Sequence, residues 1–379
     1  MGHAMYAVRK RTALVVATGV TAGVTLAATV GIAPATATGG HADAVGGAAG
    51  GGKKPVVRVI ATGLDNPRQL SYDHGRLYVA EAGRGGRKCV GQGPEGETCI
   101  GLSSALTKIY WDGGAWKHHR VVKGLPSGAA PDGGFATGLD GVSALHGSVW
   151  GAMTYAPPGA GIPTAPPWNT LGKLLRLGHG KAKIAADIAA VEFRYNPHKA
   201  NLESNPYGVL ALPDGRRIVA DAAGNDLVVV SPNGRARPFT VFPNHDGNES
   251  VPTSLALGPD GKLYVGELNG EAARPTARVW KVDPHTGRIL GWTSGFGSIT
   301  GVALDDDGDL YVSQLFAGRV TKVSHGKRTH VKVPFPAGVA VDPHDGKVYV
   351  SAWSIADRDG TALEGKRTPG GQVWKILGF

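Results

Sequence analysis

The chain repeats one pattern of apolar and polar positions six times. Each copy has an apolar stretch of strand length, a tight turn often spelled Asp-Gly, and a second apolar stretch that commonly reads Leu-Tyr-Val. The copies are QLSYDHGRLYVAE from Gln69, VSALHGSVWGA from Val142, VLALPDGRRIVAD from Val209, SLALGPDGKLYVGE from Ser254, GVALDDDGDLYVSQ from Gly301 and GVAVDPHDGKVYVSA from Gly338. Short apolar runs joined by Asp-Gly turns are typical of β-hairpins. Each copy therefore predicts one hairpin.

A third apolar run follows every hairpin, as in LTKIYW, GKLLRLG and ARVWKVD, and most copies then show a fourth strand-like segment. Four strands recurring at intervals of tens of residues are typical of propeller blades. The sequence therefore predicts an all-β fold, a six-bladed β-propeller. The sixth copy stops after its third strand, GQVWKIL, and we expect Val56 to Ile60 to supply the missing fourth strand and close the ring.

The segment before that strand has the pattern of an export signal. Three basic residues, Arg9 to Arg11, precede an apolar run from Thr12 to Ile32, and Ala35-Thr36-Ala37 has the small-residue spacing of a signal-peptidase site. We expect a signal peptide at 1–37, a flexible Gly/Ala-rich linker at 38–54, and the propeller at 55–379. The alternative is an uncleaved membrane anchor. With cleavage, the protein is predicted to be secreted, without a membrane span, and monomeric.

Charge and cysteine content narrow the possible functions. Removing the export segment, which holds three basic residues and no acidic one, leaves +7 of the formal +10. The Lys and Arg residues are scattered without a basic block, so we expect a solvated surface and no nucleic-acid binding. The two cysteines, Cys89 and Cys99, lie in one loop of blade one. In an exported protein they predict a disulfide that staples this loop.

Blade topology predicts which loops share a face. If strands A to D run outward from the axis, the B-to-C loops and the connections between blades lie together on what we call the B–C face, which also carries the long insertions. The side chains expected to bind a ligand there are Arg68, Glu81, Tyr207, Asp221, Asn225, Asp226, Glu267 and Asn269. We prefer Arg68, Asp221, Asn225 and Glu267 as contacts. The alternative is that these residues cap turns and bind loop backbone.

Other polar groups are expected to have structural roles. His74, His146, His344, His179, His285 and His325 fall in turns of the opposite face, which leaves only His198 and His245 near the B–C face for acid-base chemistry. No GxSxG or HExxH motif is present, and no catalytic residue is assigned. The run from Asp305 to Asp309 aligns with the other Asp-Gly turns and predicts a hairpin turn rather than a calcium loop. Tyr78, Tyr264, Tyr311 and Tyr349 recur at one blade position and predict packing between blades.

With these motifs laid out, the chain resembles the ScyD/ScyE family of exported bacterial propellers, within the NHL- and gluconolactonase-like superfamily. The resemblance covers Val56 to Phe379 and is carried by GLDNPRQL with LYVAEAGRGG, LGKLLRL, VEFRYNP with SNPYGVLALPDG, VADAAGNDLVVV and VPTSLALGPDGKLYVGELNG. It implies export and a six-bladed propeller but no general reaction. Blade four departs from the family's pattern, because ELNGEAARPTARVW lacks the expected aromatic segment after its Gly.

Two functions follow as expectations, and whether the protein is an enzyme stays open between them. The first is binding of a small organic molecule or a cell-surface partner at the B–C face, with no cofactor required. The second rests on a more distant likeness to calcium-dependent lactonases of the gluconolactonase type, which implies a calcium ion near Asp140, Asn205 and Glu249. Asn66-Pro67-Arg68 has no carboxylate where those lactonases place a Glu. A third possibility is a purely structural or interaction module.

Overall fold

The computed structural model describes residues 55–93, 96–157, 161–269, 275–343 and 345–379. The predicted signal peptide (1–37), the predicted linker (38–54) and His344 lie outside the described residues. Six of the seven antiparallel sheets in the described chain have four or five strands on their main path, and each of these six is one blade of a β-propeller. The inner strands of neighbouring blades contact one another in cyclic order, and the last contacts the first. The predicted all-β, six-bladed propeller is confirmed.

The first three blades contain most of the inserted segments. Blade 1 comprises β2 (Pro67–Asp73), β3 (Arg76–Glu81), β5 (Gly96–Trp111) and β6 (Trp116–Ala129), with β4 (Lys88–Gly93) paired to the first half of β5. Blade 2 comprises β7 (Leu139–Leu145), β8 (Ser148–Met153), β9 (Lys173–Gly178) and β10 (Lys181–Asp187), with a short 3-10 helix at Trp168–Thr170 before β9. After helix α1 (Ala189–Tyr195), blade 3 comprises β11 (Pro206–Ala211), β12 (Arg217–Asp221), β13 (Asp226–Val230) and β14 (Ala236–Val241).

The remaining blades are more regular, and the last one closes the ring. Blade 4 comprises β15 (Pro252–Leu257), β16 (Leu263–Glu267), β17 (Ala277–Val282) and β18 (Ile289–Phe296). Blade 5 comprises β19 (Ile299–Leu304), β20 (Leu310–Gln314), β21 (Arg319–Ser324) and β22 (Lys327–Lys332). Blade 6 comprises β23 (Val339–Val341), β24 (Val348–Ala352), β27 (Gly371–Leu377) and the N-terminal strand β1 (Val56–Leu64). A small hairpin of β25 (Ala362–Leu363) and β26 (Lys366–Arg367) precedes β27.

The closing strand and the disulfide both match their predictions. Strand β1 pairs antiparallel with β27 from Val56 opposite Leu377 to Leu64 opposite Gly371, so the closing strand runs four residues beyond the expected Ile60. Cys89 and Cys99 lie directly opposite each other on β4 and β5 and form the predicted disulfide. The predicted loop around them is therefore a β-hairpin extension of blade 1.

The hydrophobic core lies between adjacent blades. Tyr311 packs with Val339 and Val348 between blades 5 and 6, and Tyr349 packs with Leu70 and Val79 between blades 6 and 1. Tyr78 packs in the same way between blades 1 and 2, and Tyr264 is partly buried against blade 5. The interpretation of these tyrosines as packing between blades is confirmed.

The turn predicted for the acidic run of blade 5 is also present. Asp305 and Asp309 bond to each other across the turn between β19 and β20, and Gly308 takes a φ of 81°. The Asp305 carboxylate accepts hydrogen bonds from the Asp309 amide and the Tyr311 hydroxyl, so it serves the turn and the packing between blades. The run is a hairpin turn, as expected from its alignment with the other blades.

A β-bulge interrupts the start of the inner strand in blades 1 to 5. The pairing register skips one position in each of blades 2 to 5, at Asp140, Tyr207, Thr253 and Thr300, and two positions in blade 1, Arg68 and Gln69. Bulges of this kind re-aim a side chain and are frequent beside functional sites. All six side chains are buried, at the end of the ring that carries the B–C loops. The bulges therefore place buried side chains of the innermost strands at the predicted face.

Candidate functional site

Three of the bulge residues form a polar group that we call the axial cluster: Arg68, Asp140 and Tyr207. The Arg68 Nη2 group donates a hydrogen bond to the Ala136 carbonyl oxygen, and Arg68 Nε lies 3.8 Å from Asp140 Oδ1. That separation is too long for a hydrogen bond. Arg68 Nε and both carboxylate oxygens of Asp140 have no hydrogen-bond partner among the described residues. The cluster thus holds three polar atoms that a bound group would satisfy.

Burial dominates the electrostatics of the axial cluster. Burial raises the pKa of Asp140 to about 7, although the nearby Arg68 guanidinium favours the charged carboxylate. Burial raises the pKa of Tyr207 to about 12, so its phenol is neutral throughout the physiological range. Asp140 is therefore the member of the cluster that changes charge near neutral pH.

Glu81, at the end of β3, has its contacts inside blade 1. Its carboxylate accepts hydrogen bonds from the Asp65 backbone amide, the Thr107 hydroxyl and the Arg120 guanidinium. Arg120 also bonds Asp65 Oδ2 at 3.0 Å. This buried ion pair links the closing connection to blade 1. The environment of Glu81 is that of a structural group rather than one open to a ligand.

Glu267 and Asn269 are joined through a histidine on the same face. Glu267 lies at the end of β16 and accepts hydrogen bonds from Trp280 Nε1 at 2.6 Å and from the Arg278 amide at 2.8 Å. His245 Nε2 lies 2.7 Å from Glu267 Oε1, and its Nδ1 lies 2.7 Å from Asp246 Oδ2. Asn269 Nδ2 lies 3.3 Å from His245 Nε2. Both ring nitrogens of His245 therefore lie within hydrogen-bond distance of a carboxylate.

The remaining candidates of blade 3 surround one loop. Asp221 accepts hydrogen bonds from Ser204 Oγ and the Asn205 amide, both at 2.6 Å. Asn225 donates to the Phe242 carbonyl and accepts from the Val251 amide, which fixes the connection to blade 4. Asp226 begins β13 opposite Asp221, and neither of its carboxylate oxygens has a hydrogen-bond partner within the described ranges.

The three residues expected to hold calcium have separate surroundings. Asp140 belongs to the axial cluster, Asn205 accepts a hydrogen bond from Thr154 Oγ1 at 2.9 Å, and Glu249 Oε1 lies 3.6 Å from His198 Nδ1. No contact in the described chain joins the three side chains. Among the described residues, one group of three His, Cys, Asp or Glu side chains has potential ligand atoms all within 4.8 Å of one another: Cys89, Glu97 and Cys99. The two cysteines of that group form the disulfide.

Sequence reasoning did not select two residues that the structure places among the candidates. Arg120 reaches Glu81 from the outer strand β6, and nothing in its local sequence indicates this partner. Glu192 lies in α1, and both of its carboxylate oxygens are buried without a hydrogen-bond partner in the described part of the chain. Glu192 belongs to the VEFRYNP motif, which is one of the segments that carry the family resemblance. The motif does not indicate that the Glu192 side chain is buried beside other carboxylates.

A separate cleft lies at the outer edge of blades 1 and 2. Its volume is about 490 Å³, and it is lined by Val122, Leu125, Ala182 and Ile184 with Lys123 and Lys183 at its sides. The lining comes from strands β6 and β10 and from the 3-10 helix before β9. The cleft is therefore a feature of the outer strands, distinct from the axial cluster.

Fold and site together define a six-bladed β-propeller with buried polar groups at one end of its axis. Solved structures with the same fold include a luciferin-regenerating enzyme (14% identity over 86% of this chain and 95% of that chain, TM-score 0.53). A putative gluconolactonase matches at 14% identity over 85% of this chain and 91% of that chain, TM-score 0.50. A protein of unknown function from Bacteroides thetaiotaomicron matches at 9% identity over 86% of this chain and 76% of that chain, TM-score 0.54. These likenesses show the fold alone.

The other comparisons give no match. No protein-family model matches the chain, and no curated protein matches it. Among the described residues, no helix has the length and apolar character needed to cross a membrane. The family and the activity therefore have to be argued from the site.

Proposed function

We propose that the protein is an exported binding propeller of the ScyD/ScyE type that takes a small hydroxylated organic molecule at the axial cluster. The observation that carries this proposal is the unsatisfied pair at the axis. Arg68 Nε and Asp140 Oδ1 form an ion pair at 3.8 Å without a hydrogen bond, and Arg68 Nε and both Asp140 oxygens are buried with no hydrogen-bond partner among the described residues. Buried polar groups without partners are costly. A bound polar group at this point would remove that cost.

The chemistry of the pair favours a hydroxyl group. A hydroxyl both donates and accepts hydrogen bonds, so one such group would donate to an Asp140 oxygen and accept from Arg68 Nε. Tyr207 supplies an aromatic wall from the next blade, packed against Ala222, Val251 and Leu268. One ligand group would bridge the two side chains, with the rest of the molecule directed toward the B–C face.

Binding to defined probes tests the proposal. The chain from residue 38 onward would be titrated with D-glucose, D-gluconolactone and catechol, and binding would be measured by thermal unfolding and calorimetry. We expect at least one probe to bind, and Asp140→Asn to weaken its affinity by about tenfold or more, because a hydrogen bond to a charged group is lost. Asp214→Asn, in a hairpin turn of the opposite face, is the matched control and should keep the affinity. Equal binding by the Asp140→Asn variant would contradict the proposal.

The calcium-dependent hydrolase is the second candidate and can be tested with the same protein. Neither carboxylate oxygen of Asp140 has a hydrogen-bond partner among the described residues, so both would be available to coordinate a metal ion. The Arg68 guanidinium beside Asp140, however, repels a cation. Hydrolysis of D-gluconolactone that requires added calcium and is lost in Asp140→Asn would favour the hydrolase over simple binding. Binding without turnover would favour the first candidate.

A further inference from the structure

Three carboxylates meet at the B–C end of blade 3, in what we call the blade-3 acidic cluster: Glu192, Asp221 and Asp226. Glu192 comes from α1, Asp221 ends β12, and Asp226 begins β13. The relative exposure of these residues is 2%, 1% and 1%. Three acidic side chains are thus removed from water within one loop region.

The backbone brings these side chains to one place. Asp221 and Asp226 are directly opposed partners in the antiparallel pairing of β12 and β13, so their side chains lie on the same face of the sheet. A Cβ atom placed on Gly224, in the turn between them, would lie 3.2 Å from Asp221 Cγ and 3.3 Å from Glu192 Oε2. Glu192 therefore points at the same turn from the helix above it.

Two of the three side chains have no hydrogen-bond partner among the described residues. These are Glu192 and Asp226, for both carboxylate oxygens of each, whereas Asp221 accepts bonds from Ser204, Asn205 and Gly224. No basic side chain in the described ranges forms an ion pair with any member of the cluster. Like charges directly opposite on paired strands are destabilising, and an unpaired buried charge costs far more. Protonation or a bound cation would remove this cost.

We propose that the blade-3 acidic cluster binds one divalent cation of the calcium type, with oxygen ligands from Glu192, Asp221 and Asp226. Calcium binds oxygen ligands at roughly 2.3–2.6 Å in a flexible geometry. The cluster offers carboxylate oxygens, and no Cys or His belongs to it. The carboxylate oxygens do not all lie within 4.8 Å of one another in this structure. Binding therefore requires the three side chains to close around the ion, and it would tie α1 to blade 3.

Protonation of the same carboxylates competes with a bound cation. Burial, followed by the charges of Asp221 and Glu192, raises the pKa of Asp226 well above its ordinary value. Burial and Asp221 raise the pKa of Glu192 to about 7. A bound cation would reverse these effects and keep all three carboxylates charged. The site does not depend on the proposed function of the axial cluster.

Calcium binding to the EDTA-dialysed protein tests the proposal. Calorimetry with CaCl₂ at pH 7.5 should show one ion per chain, and Tm should rise by about 5 °C when calcium exceeds Kd by about a hundredfold. MgCl₂ should give a smaller shift because Mg²⁺ demands octahedral geometry and retains its waters. The double variant Glu192→Gln/Asp226→Asn should lose the calcium response and, in EDTA, melt at a higher temperature than the wild type.

Two further variants locate the ion. Asp357→Asn is the matched control, since Asp357 is another buried aspartate with one unpartnered oxygen, and it should keep the full calcium response. Asp140→Asn should also keep it. The proposal would be overturned if wild-type calorimetry showed no calcium response, a test that needs no substitution. It would also be overturned if the response survived in the double variant or was lost in Asp140→Asn.

Discussion

Glu81 and Asp140 are both fully buried carboxylates at the B–C end of the ring, yet their environments differ. Glu81 is bonded by Arg120, Thr107 and the Asp65 amide, so its charge is compensated within the fold. Asp140 faces Arg68 at a distance too long for a hydrogen bond, and neither of its carboxylate oxygens has a hydrogen-bond partner in the part of the chain that the structure describes. Both are acidic residues at the B–C end of a blade strand, Glu81 at the end of β3 and Asp140 near the start of β7. The neighbours of each carboxylate decide whether it holds the fold together or is available to a ligand.

The pKa of Asp140 predicts a specific dependence of stability on pH. Because its folded pKa of about 7 is raised above the ordinary 3.8, the folded protein holds a proton that the unfolded chain has already released between these values. Stability from this group therefore falls as pH rises from 3.8 to about 7. The Asp140→Asn variant should lack this loss of stability. The difference between its free energy of unfolding and that of the wild type should therefore increase with pH over this window, by at most about 1.4 kcal/mol per pH unit.

Denaturant unfolding at several pH values measures that difference. Other raised carboxylates, including Glu192 and Asp226, act in the same direction in both proteins and cancel in the comparison. An unfolding free-energy difference between variant and wild type that stays constant with pH would show that Asp140 is charged in the folded state.

At the scale of the strand, glycines let the inner strands approach one another closely. A Cβ on Gly208 would lie 2.4 Å from the Thr253 carbonyl oxygen, and one on Gly301 would lie 2.4 Å from the Ala337 carbonyl oxygen. Real Cβ atoms do not come so near to backbone. The glycine that follows the bulge therefore lets adjacent blades meet backbone to backbone at the axis. The bulge next to it sets the direction of the axial side chain.

Gly338→Ala tests this role in blade 6. Its new Cβ would lie 2.3 Å from the Leu70 backbone nitrogen of blade 1, so blades 6 and 1 would have to separate. We expect a loss of about 3 kcal/mol or more in the free energy of unfolding, measured by denaturant titration. Gly291→Ala in β18 is the matched control, since its Cβ would meet nothing within 4 Å, and it should be neutral or slightly stabilising. Equal effects of the two substitutions would contradict the close-approach argument.

At the scale of the whole molecule, closure of the ring rests on its two ends. Strand β1 completes blade 6 by pairing with β27, which is the last strand of the chain. The same junction carries a core of Leu64, Leu70 and Val373 between blades 6 and 1. Without β1, the edge of β27 would present unpaired backbone groups to other chains.

A truncated variant measures the contribution of closure. A chain that begins at Gly63 loses five of the six pairs between β1 and β27 but keeps the Asp65 amide that bonds Glu81. We expect a lower Tm and self-association in size-exclusion chromatography, whereas a chain that begins at Pro55 should be unaffected. A monomeric short variant with unchanged Tm would show that the ring does not need this strand.

Much of the architecture could be predicted because it depends on local patterns. Apolar periodicity and Asp-Gly turns indicate strands and hairpins wherever they occur, and the missing fourth strand of the last repeat indicated closure by β1. The disulfide followed from two cysteines in one loop. The grouping of polar residues on the B–C face followed from blade topology, which assigns each loop to one end of the ring.

The sequence by itself determined the six blades, their closure and the face that collects the acids and amides, because strand periodicity and turn chemistry are properties of neighbouring residues. Only the tertiary structure decided which of those side chains are satisfied. It paired Glu81 with Arg120, left Asp140 unbonded beside Arg68, and brought Glu192 from an inserted helix onto Asp221 and Asp226. Burial and hydrogen-bond partners arise from contacts between distant parts of the chain, which no local pattern contains.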